Sequence, residues 1–189
     1  MKIRRSVYPP SEDTWLLMDN IPQGRGLALE IGSGTGVISL DMLEKGWDVI
    51  SIDVNLDATI NTLENYKDRD NRSYFQIINT DLLNSFKPNL KIDLLVFNFP
   101  YIPTLKKKDI MDLSWNGGLN GRETIDQFII QLERNEVKIK EMLLVQSRSS
   151  NPLETKNKLK LIGYDVIFKD KKPDFFDEIV IINAKNKEN

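Results

Sequence analysis

Short apolar runs alternate with helix-spaced apolar positions along most of the chain. The apolar runs predict strands at 27–31, 48–52, 73–78, 92–97, 141–146, 164–168 and 179–182. Apolar residues at helical spacing predict helices at 37–45, 55–66, 124–132 and 152–161. The last two strands are close enough in sequence to pair as a hairpin around 171–175. This alternation is typical of an α/β fold.

The strand pattern also indicates how the sheet is built. The run at 92–97 is almost continuously apolar, as expected for a central parallel strand that is covered on both faces. We therefore predict a doubly wound, seven-stranded, mostly parallel sheet with one antiparallel edge strand. With 189 residues, the chain is expected to form a single domain over 1–189.

Composition excludes several kinds of chemistry. The chain has no cysteine and no histidine, which rules out serine-histidine and cysteine-histidine catalysis and cysteine ligands for zinc. Its 26 basic and 28 acidic side chains give a net charge of −2, so the chain as a whole is not a basic nucleic-acid binder. Lys106 to Lys108 is the one candidate for a local basic patch.

Nothing in the sequence predicts a membrane location. No apolar run is long enough for a bilayer span. The start of the chain, MKIRRSVYPPSED, turns polar where a signal peptide would be apolar. We expect a cytoplasmic protein.

A glycine-rich loop follows the first strand. Gly32, Gly34 and Gly36 stand at alternate positions, and Glu30 precedes them. A dinucleotide-binding loop would place its third glycine where this chain has Val37. The form E-x-G-x-G-x-G instead resembles the first motif of methyltransferases that use S-adenosylmethionine. The alternative interpretation is a tight turn that needs glycines only for packing.

Two acidic residues end the next two strands. Asp53 lies about twenty residues beyond the glycine loop, where a carboxylate can accept the ribose hydroxyls of an adenosine. Asp81 follows the third strand in the same way and could accept from an adenine amine. Either residue could also be an ordinary helix cap.

Asn98-Phe99-Pro100-Tyr101 directly follows the fourth strand. This tetrapeptide resembles the N-P-P-Y motif of methyltransferases that act on planar nitrogens. The Asn98 side-chain oxygen and the Phe99 carbonyl would each accept one N–H, Pro100 would fix the Phe99 carbonyl, and Tyr101 would stack on the substrate. Such chemistry needs no metal. Phe99 replaces the usual proline, and because the carbonyl survives we expect Phe99→Pro to be tolerated. A strand followed by a turn is the alternative.

Two further segments carry a resemblance to one family. The region 7–20 is predicted to be an N-terminal helical entry segment. It begins with Val7-Tyr8-Pro9-Pro10-Ser11-Glu12-Asp13-Thr14, which resembles V-Y-x-P-x-E-D-T. The segment from Trp115 to Glu123 resembles W-x-G-G-x-N-G-R-E. Both motifs are typical of the HemK-like class 1 release-factor glutamine methyltransferases of archaea and eukaryotes, which have a Rossmann-like class I fold.

The resemblance implies a cofactor, a substrate and a partner. The cofactor is S-adenosylmethionine, and its implied contacts are Thr14, Glu30, Gly32, Asp53, Asp81, Leu82 and Asn98. The substrate is the glutamine of a Gly-Gly-Gln tripeptide in a translation release factor. A small zinc-binding activator subunit would cover an exposed apolar sheet edge, which we place at 73–78.

Two other functions, and structural interpretations of single residues, remain open from the sequence. The same chemistry could act on the exocyclic amine of an RNA or DNA base, although the chain has no target-recognition domain. The fold could also serve only as a binding scaffold. At individual positions, Thr14 could simply start a helix, Arg122 could pair with a carboxylate for stability, and Trp115 could cover the core.

Overall fold

The computed structural model describes residues 1–67, 74–104, 114–174 and 177–188. Within these ranges the helices are α1 (Glu12–Asn20), α2 (Val37–Glu44), α3 (Leu56–Tyr66), α4 (Glu123–Arg134) and α5 (Pro152–Leu161). The strands are β1 (Leu27–Ile31), β2 (Asp48–Asp53), β3 (Phe75–Asn79), β4 (Lys91–Asn98), β5 (Lys138–Ser147), β6 (Tyr164–Asp174) and β7 (Asp177–Asn186). The predicted α/β alternation is confirmed.

The strands form one seven-stranded sheet in the order β3-β2-β1-β4-β5-β7-β6. The first five strands in this order are parallel, and β7 runs antiparallel to both β5 and β6. The prediction of a mostly parallel sheet with one antiparallel strand at its edge region is confirmed. The structure adds that β7 lies one position inside the edge and that β6 is the outermost strand.

The terminal hairpin is longer than the sequence indicated. Pairing continues from Tyr164 opposite Asn186 to Asp174 opposite Asp177, with an irregularity between Phe168 and Asp170. The sequence predicted a strand at 164–168 and a hairpin around 171–175, whereas β6 continues to Asp174, because an edge strand can carry charged residues at the sheet margin. Lys106 to Lys108, and the first residue of the strand predicted at 73–78, lie outside the described residues.

Apolar side chains cover both faces of the sheet. Consecutive residues Leu94 and Leu95 of β4 are both buried and belong to separate clusters, because neighbouring strand residues point to opposite faces. One cluster includes Phe128 of α4, and the other includes Leu17 of α1. None of the helices in the described ranges is long and apolar enough to cross a membrane.

The strand order also fixes where a ligand can bind. β1 lies between β2 and β4, so the chain leaves β1 toward one side and later returns to its other side. Such a reversal opens a crevice at the carboxyl ends of the strands. The loops after β1, β2, β3 and β4 all reach this edge.

Candidate active site

A cavity of about 830 Å³ lies at the carboxyl ends of these strands. Its walls come from the loops after the four strands, from the segment before α1 and from the start of α4. It is lined by the following residues predicted from the sequence: Thr14, Glu30, Gly32, Gly34, Asp53, Asp81, Leu82, Asn98, Phe99, Pro100 and Tyr101. The fold therefore brings together residues that are up to 87 positions apart in the sequence, from Thr14 to Tyr101.

The glycine loop has the backbone conformation that its glycines allow. Gly32 and Gly34 have φ values of 78° and 52°, in the left-handed region. A Cβ on Gly34 would meet nothing within 4 Å, so the main chain there is open to a ligand. Gly36 is not among the lining residues, and a Cβ there would stand 2.8 Å from Cγ2 of Thr62. The alternative interpretation, in which a glycine is needed only for packing, therefore applies to Gly36, at the start of α2.

Asp53 links the glycine loop to the end of β2. Its Oδ2 accepts the Gly34 N–H at 3.0 Å, and its Oδ1 accepts the Asn55 N–H at 2.8 Å. Burial raises the pKa of the Asp53 carboxyl above its ordinary value, although these backbone hydrogen bonds oppose the shift. The cap of α3 is Asn55, which accepts from the Asp57 N–H. Asp53 is thus not the helix cap and faces the cavity.

The loop after β3 continues this wall. The Thr80 N–H donates to the Asp53 carbonyl at 3.0 Å, which places exposed Asp81 beside the end of β2. Leu82 is buried and has φ 47°, a conformation that is uncommon for a side chain of this kind. Strained backbone of this type occurs at ligand clamps.

Glu30 is a buried carboxylate with an unused oxygen. Its side chain is only 1% exposed. Oε2 accepts from Ser39 Oγ and, at 3.4 Å, from Ser51 Oγ, whereas Oε1 has no partner among the described residues. Burial raises the pKa of Glu30 to about 8, the Ser39 hydrogen bond opposes this, and the charge of Asp53 adds to it. A buried oxygen without a partner indicates a donor that a ligand brings.

The raised pKa of Glu30 predicts how stability depends on pH. Between pH 4.5 and about 8, folded Glu30 keeps a proton that the unfolded chain has lost. The free energy of unfolding should therefore fall as pH rises through this window, by up to about 1.4 kcal/mol per pH unit. Urea unfolding from pH 5 to 9 measures the slope, and Glu30→Gln should flatten it. The same flattening in Glu133→Gln, on the exposed face of α4, would refute the assignment.

Asn98 and Phe99 end the central strand at the cavity. Asn98 is half-buried, and its side chain has no hydrogen-bond partner in the described part of the chain. The Phe99 ring is 1% exposed and packs edge-on against Phe97 with centroids 5.3 Å apart. The side chain at position 99 therefore belongs to the core. The expectation that Phe99→Pro is tolerated, because the carbonyl acceptor is retained, stays a prediction for catalysis. The buried ring adds a second expectation, a loss of stability, because proline would leave the ring's volume empty.

Tyr101 is held by a residue that the sequence analysis did not single out. Its hydroxyl donates to Oδ2 of Asp13 at 2.9 Å. Asp13 is buried and lines the cavity, and its Oδ1 accepts the Thr14 N–H at 2.6 Å. Thr14 Oγ1 accepts the Ser11 N–H at 3.3 Å, so Thr14 both caps the start of α1 and lines the cavity. The position of Asp13 in the E-D-T motif was the feature of the sequence that could have indicated its place in the site.

The segment from Trp115 to Glu123 forms a wall of the cavity directly beside the tetrapeptide. The Ile102 N–H donates to the Trp115 carbonyl at 3.0 Å, and the Gly117 N–H donates to the Ile102 carbonyl at 2.9 Å. A Cβ on Gly121 would stand 2.3 Å from the Tyr101 carbonyl oxygen. Glycine is therefore required for this close approach. Trp115 is half-buried and lines the cavity.

Arg122 stabilises the segment from Trp115 to Glu123 through contacts that lie outside the cavity. Its Nη1 donates to the carbonyls of Ser150 and Asn151 at 2.9 and 2.8 Å, and its Nη2 pairs with Asp126 at 2.8 Å. Arg122 is buried and is not among the residues that line the cavity. The interpretation of Arg122 as a stabilising residue therefore fits the structure.

The charge around the cavity has one sign. Among the described residues, the lining contains the acidic side chains Asp13, Glu30, Asp53, Asp81, Glu123 and Asp126, of which Glu30 is largely protonated at neutral pH because its pKa is raised to about 8. No lysine or arginine of the described chain lines it. Such a field favours a cationic ligand and disfavours a phosphate.

Comparison with known proteins gives relatives over the whole chain. The methyltransferase small domain model matches residues 11–113, more than half of the chain. A putative protein N5-glutamine methyltransferase of Methanocaldococcus jannaschii is 34% identical over 190 residues, covering 97% of this chain and 94% of its own. Methyltransferase HEMK2 of Mus musculus is 38% identical over 138 residues, covering 66% of this chain and 64% of its own.

A solved structure matches the whole fold. It is the E. cuniculi Mtq2–Trm112 complex, described as responsible for methylation of the eRF1 translation termination factor. The matched chain is 27% identical to this one with a TM-score of 0.75, and the match covers 96% of this chain and 99% of the other.

Proposed function

This chain belongs to the methyltransferase small domain family, among the HemK-like glutamine methyltransferases, and from that premise we propose that it methylates a release factor. The substrate group is the side-chain amide of the glutamine in the Gly-Gly-Gln motif of a class 1 translation release factor, and the cofactor is S-adenosylmethionine. The observation that carries the proposal is the Asn98 amide, which has no hydrogen-bond partner among the described residues and lies in the same acidic cavity as the glycine loop, Asp53 and Glu30.

The residues around the cavity fit the cofactor. S-adenosylmethionine supplies, when bound, a methyl group on a positively charged sulfur. The unpartnered Oε1 of Glu30 suits the cationic amino-acid group of the cofactor. Asp53 suits the ribose hydroxyls, Asp81 suits the adenine amine, and Gly34 offers open main chain. The absence of basic side chains from the described lining suits a ligand without phosphates.

Asn98 and Phe99 would bind and orient the substrate amide. The nitrogen of an amide is a poor nucleophile because its lone pair is delocalised. The Asn98 oxygen and the Phe99 carbonyl would accept its two N–H groups, orient the nitrogen and stabilise the positive charge that it gains in the transition state. Asp13 fixes the Tyr101 hydroxyl, so the Tyr101 ring is held as one side of the substrate slot.

The acidic lining also bears on the alternative substrate, a base of RNA or DNA. A base of RNA or DNA arrives with phosphates beside it, and the ionised acidic side chains of the described lining would repel them. A Gly-Gly-Gln peptide carries no such charge. Tandem mass spectrometry of release factor incubated with the enzyme and cofactor tests the proposal. One methyl group on the glutamine side chain supports it, and a methyl group at another residue alone would refute it.

Asp53→Ala should weaken cofactor binding. The variant loses charge-assisted hydrogen bonds to the ribose, which we expect to cost about 1.5–3 kcal/mol of binding free energy. Titration calorimetry with S-adenosylmethionine measures this. The control is Asp48→Ala at the opposite end of β2, where the carboxylate also accepts one backbone N–H. Equal affinities in the Asp53 variant and the wild type would count against the cofactor assignment.

We also propose that a small zinc-binding activator subunit covers the β3 edge. In the described sheet β3 pairs only with β2, so its outer edge is unpaired. Apolar side chains near this edge are more than 40% exposed, namely Val54, Leu56, Leu63 and Tyr74. Mtq2 in the similar structure is in complex with Trm112. An unpaired strand beside exposed apolar side chains suits a protein partner.

The partner hypothesis predicts an effect confined to one edge of the sheet. Leu56→Glu should abolish a 1:1 complex in co-purification, because it places a charge in the apolar surface. Ile167→Glu, on exposed β6 at the other edge, should leave the complex intact. An isolated chain that is monomeric and fully active without any added subunit would contradict the hypothesis.

A further inference from the structure

The first residues of the chain form a strap, residues 2–8, along α3. It contains a turn in which the Val7 N–H donates to the Arg4 carbonyl at 3.1 Å. Side chains of α3 bind its backbone at alternate residues. Asn65 accepts the Lys2 N–H at 2.7 Å and donates to the Lys2 carbonyl at 2.8 Å. Asn61 donates to the same carbonyl at 3.0 Å and accepts the Arg4 N–H at 2.6 Å. Asn61 and Asn65 are four residues apart and so share one face of the helix.

The next part of the strap is held just as closely. The Asn55 amide donates to the Ser6 carbonyl at 3.1 Å. Asp57 accepts from the Ser6 hydroxyl at 2.6 Å and pairs with the Arg4 guanidinium at 3.0 Å. Asn65 also donates to the Thr35 carbonyl of the glycine loop at 2.9 Å. The same helix face therefore holds both the strap and the loop that the cofactor contacts.

The strap ends as a wall of the cavity. Ser6, Val7 and Tyr8 line it, as do Gly32 and Gly34 of the glycine loop, and Val7 is buried. Asn61 is 0% exposed and is not among the lining residues. Any influence of Asn61 on a ligand in the cavity must therefore pass through the strap or through α3.

We propose that Asn61 is a positioning residue for the cofactor, which holds the strap against α3 and so keeps the wall from Ser6 to Tyr8 closed on the bound molecule. The inference rests on the proposed function, since it takes S-adenosylmethionine as the ligand. In this proposal the strap helps to retain the cofactor, and Asn98 and Phe99 act in the methyl transfer itself.

The test is Asn61→Ala in the full-length chain. We expect the Kd for S-adenosylmethionine to rise about tenfold, mainly through faster dissociation in stopped-flow measurements. The KM for the cofactor should rise in parallel, while kcat at saturating cofactor and the KM for release factor stay unchanged. Asn183→Ala is the matched control, because Asn183 is also buried and donates to the Met142 carbonyl, on the far half of the sheet.

A second variant removes the partner atom on the strap. Arg4→Pro deletes the N–H that Asn61 accepts, and Arg4→Ala keeps it while deleting the guanidinium. Arg4→Pro should raise the Kd by up to about tenfold. Added to Asn61→Ala it should raise the Kd no further, because Asn61→Ala already removes the hydrogen bond to the Arg4 N–H together with the one to the Lys2 carbonyl. If Asn61→Ala does not fold, the difference between Arg4→Pro and Arg4→Ala decides the question.

The outcomes separate this inference from the proposed function. A wild-type chain that does not bind S-adenosylmethionine would overturn both. A wild type that binds, with Asn61→Ala or Arg4→Pro binding equally tightly, would overturn only the role of the strap. Fully multiplicative effects of the two substitutions would also overturn it, because Asn61 would then act through α3 alone.

Discussion

Asn98→Ala is expected to lower methyl transfer to release factor by on the order of a hundredfold or more while cofactor binding stays close to that of the wild type. Alanine removes the side-chain oxygen that would hold one N–H of the substrate amide in the transition state. It leaves the glycine loop, Glu30 and Asp53 untouched, and no described side chain depends on Asn98 for a hydrogen bond. Single-turnover rates at saturating cofactor measure the transfer step.

Calorimetry on the same variant serves as its control. If cofactor affinity and rate fell together by the same factor, Asn98 would act on the cofactor and not on the substrate amide. A rate within a few-fold of the wild type would contradict the proposed role of Asn98. Asn84→Ala, at an exposed position on the chain between β3 and β4, should change neither quantity.

Phe99→Pro is expected to destabilise the fold by about 3 kcal/mol or more, the range for losing a buried aromatic ring. The ring belongs to the core cluster and packs against Phe97, which in turn packs against Phe128 of α4. Proline keeps the carbonyl acceptor and is compatible with the extended conformation of Asn98 at the end of β4. The activity of the folded fraction at low temperature should therefore survive.

Urea unfolding measures this loss of stability. Phe99→Leu should cost less, since leucine retains much of the buried volume. An unchanged unfolding midpoint for Phe99→Pro would show that the ring contributes little to the core. Loss of activity in the fully folded variant would show that the ring shapes the site as well.

Much of the fold could be predicted because local patterns decide it. The apolar run of β4 needs cover on both faces, and the glycine loop and tetrapeptide follow strands directly, so a parallel sheet brings both to one edge. The length of the β6–β7 hairpin could not be predicted in this way. Its outer half is polar in sequence and is defined only by pairing across the hairpin.

Features of the site that depend on distant contacts were beyond the sequence. Gly36 reads as part of the ligand loop, but its neighbour across space is Thr62. Phe99 reads as a changed motif position, yet its ring packs in the core. The hydrogen bond between Asp13 and Tyr101 joins residues 88 positions apart. A pattern of residues that are neighbours in the sequence cannot indicate contacts between such distant residues.

The most direct test of the proposed function follows labelled methyl groups from S-adenosylmethionine into competing substrates. The enzyme, with its partner subunit if one co-purifies, is given release factor, a release factor whose Gly-Gly-Gln glutamine is replaced by asparagine, RNA and DNA. We predict that only the unaltered release factor is labelled, because the shorter asparagine leaves its nitrogen out of reach of Asn98 and Phe99. Labelling that persists in the asparagine variant, or that appears on RNA or DNA with comparable efficiency, would contradict the glutamine assignment.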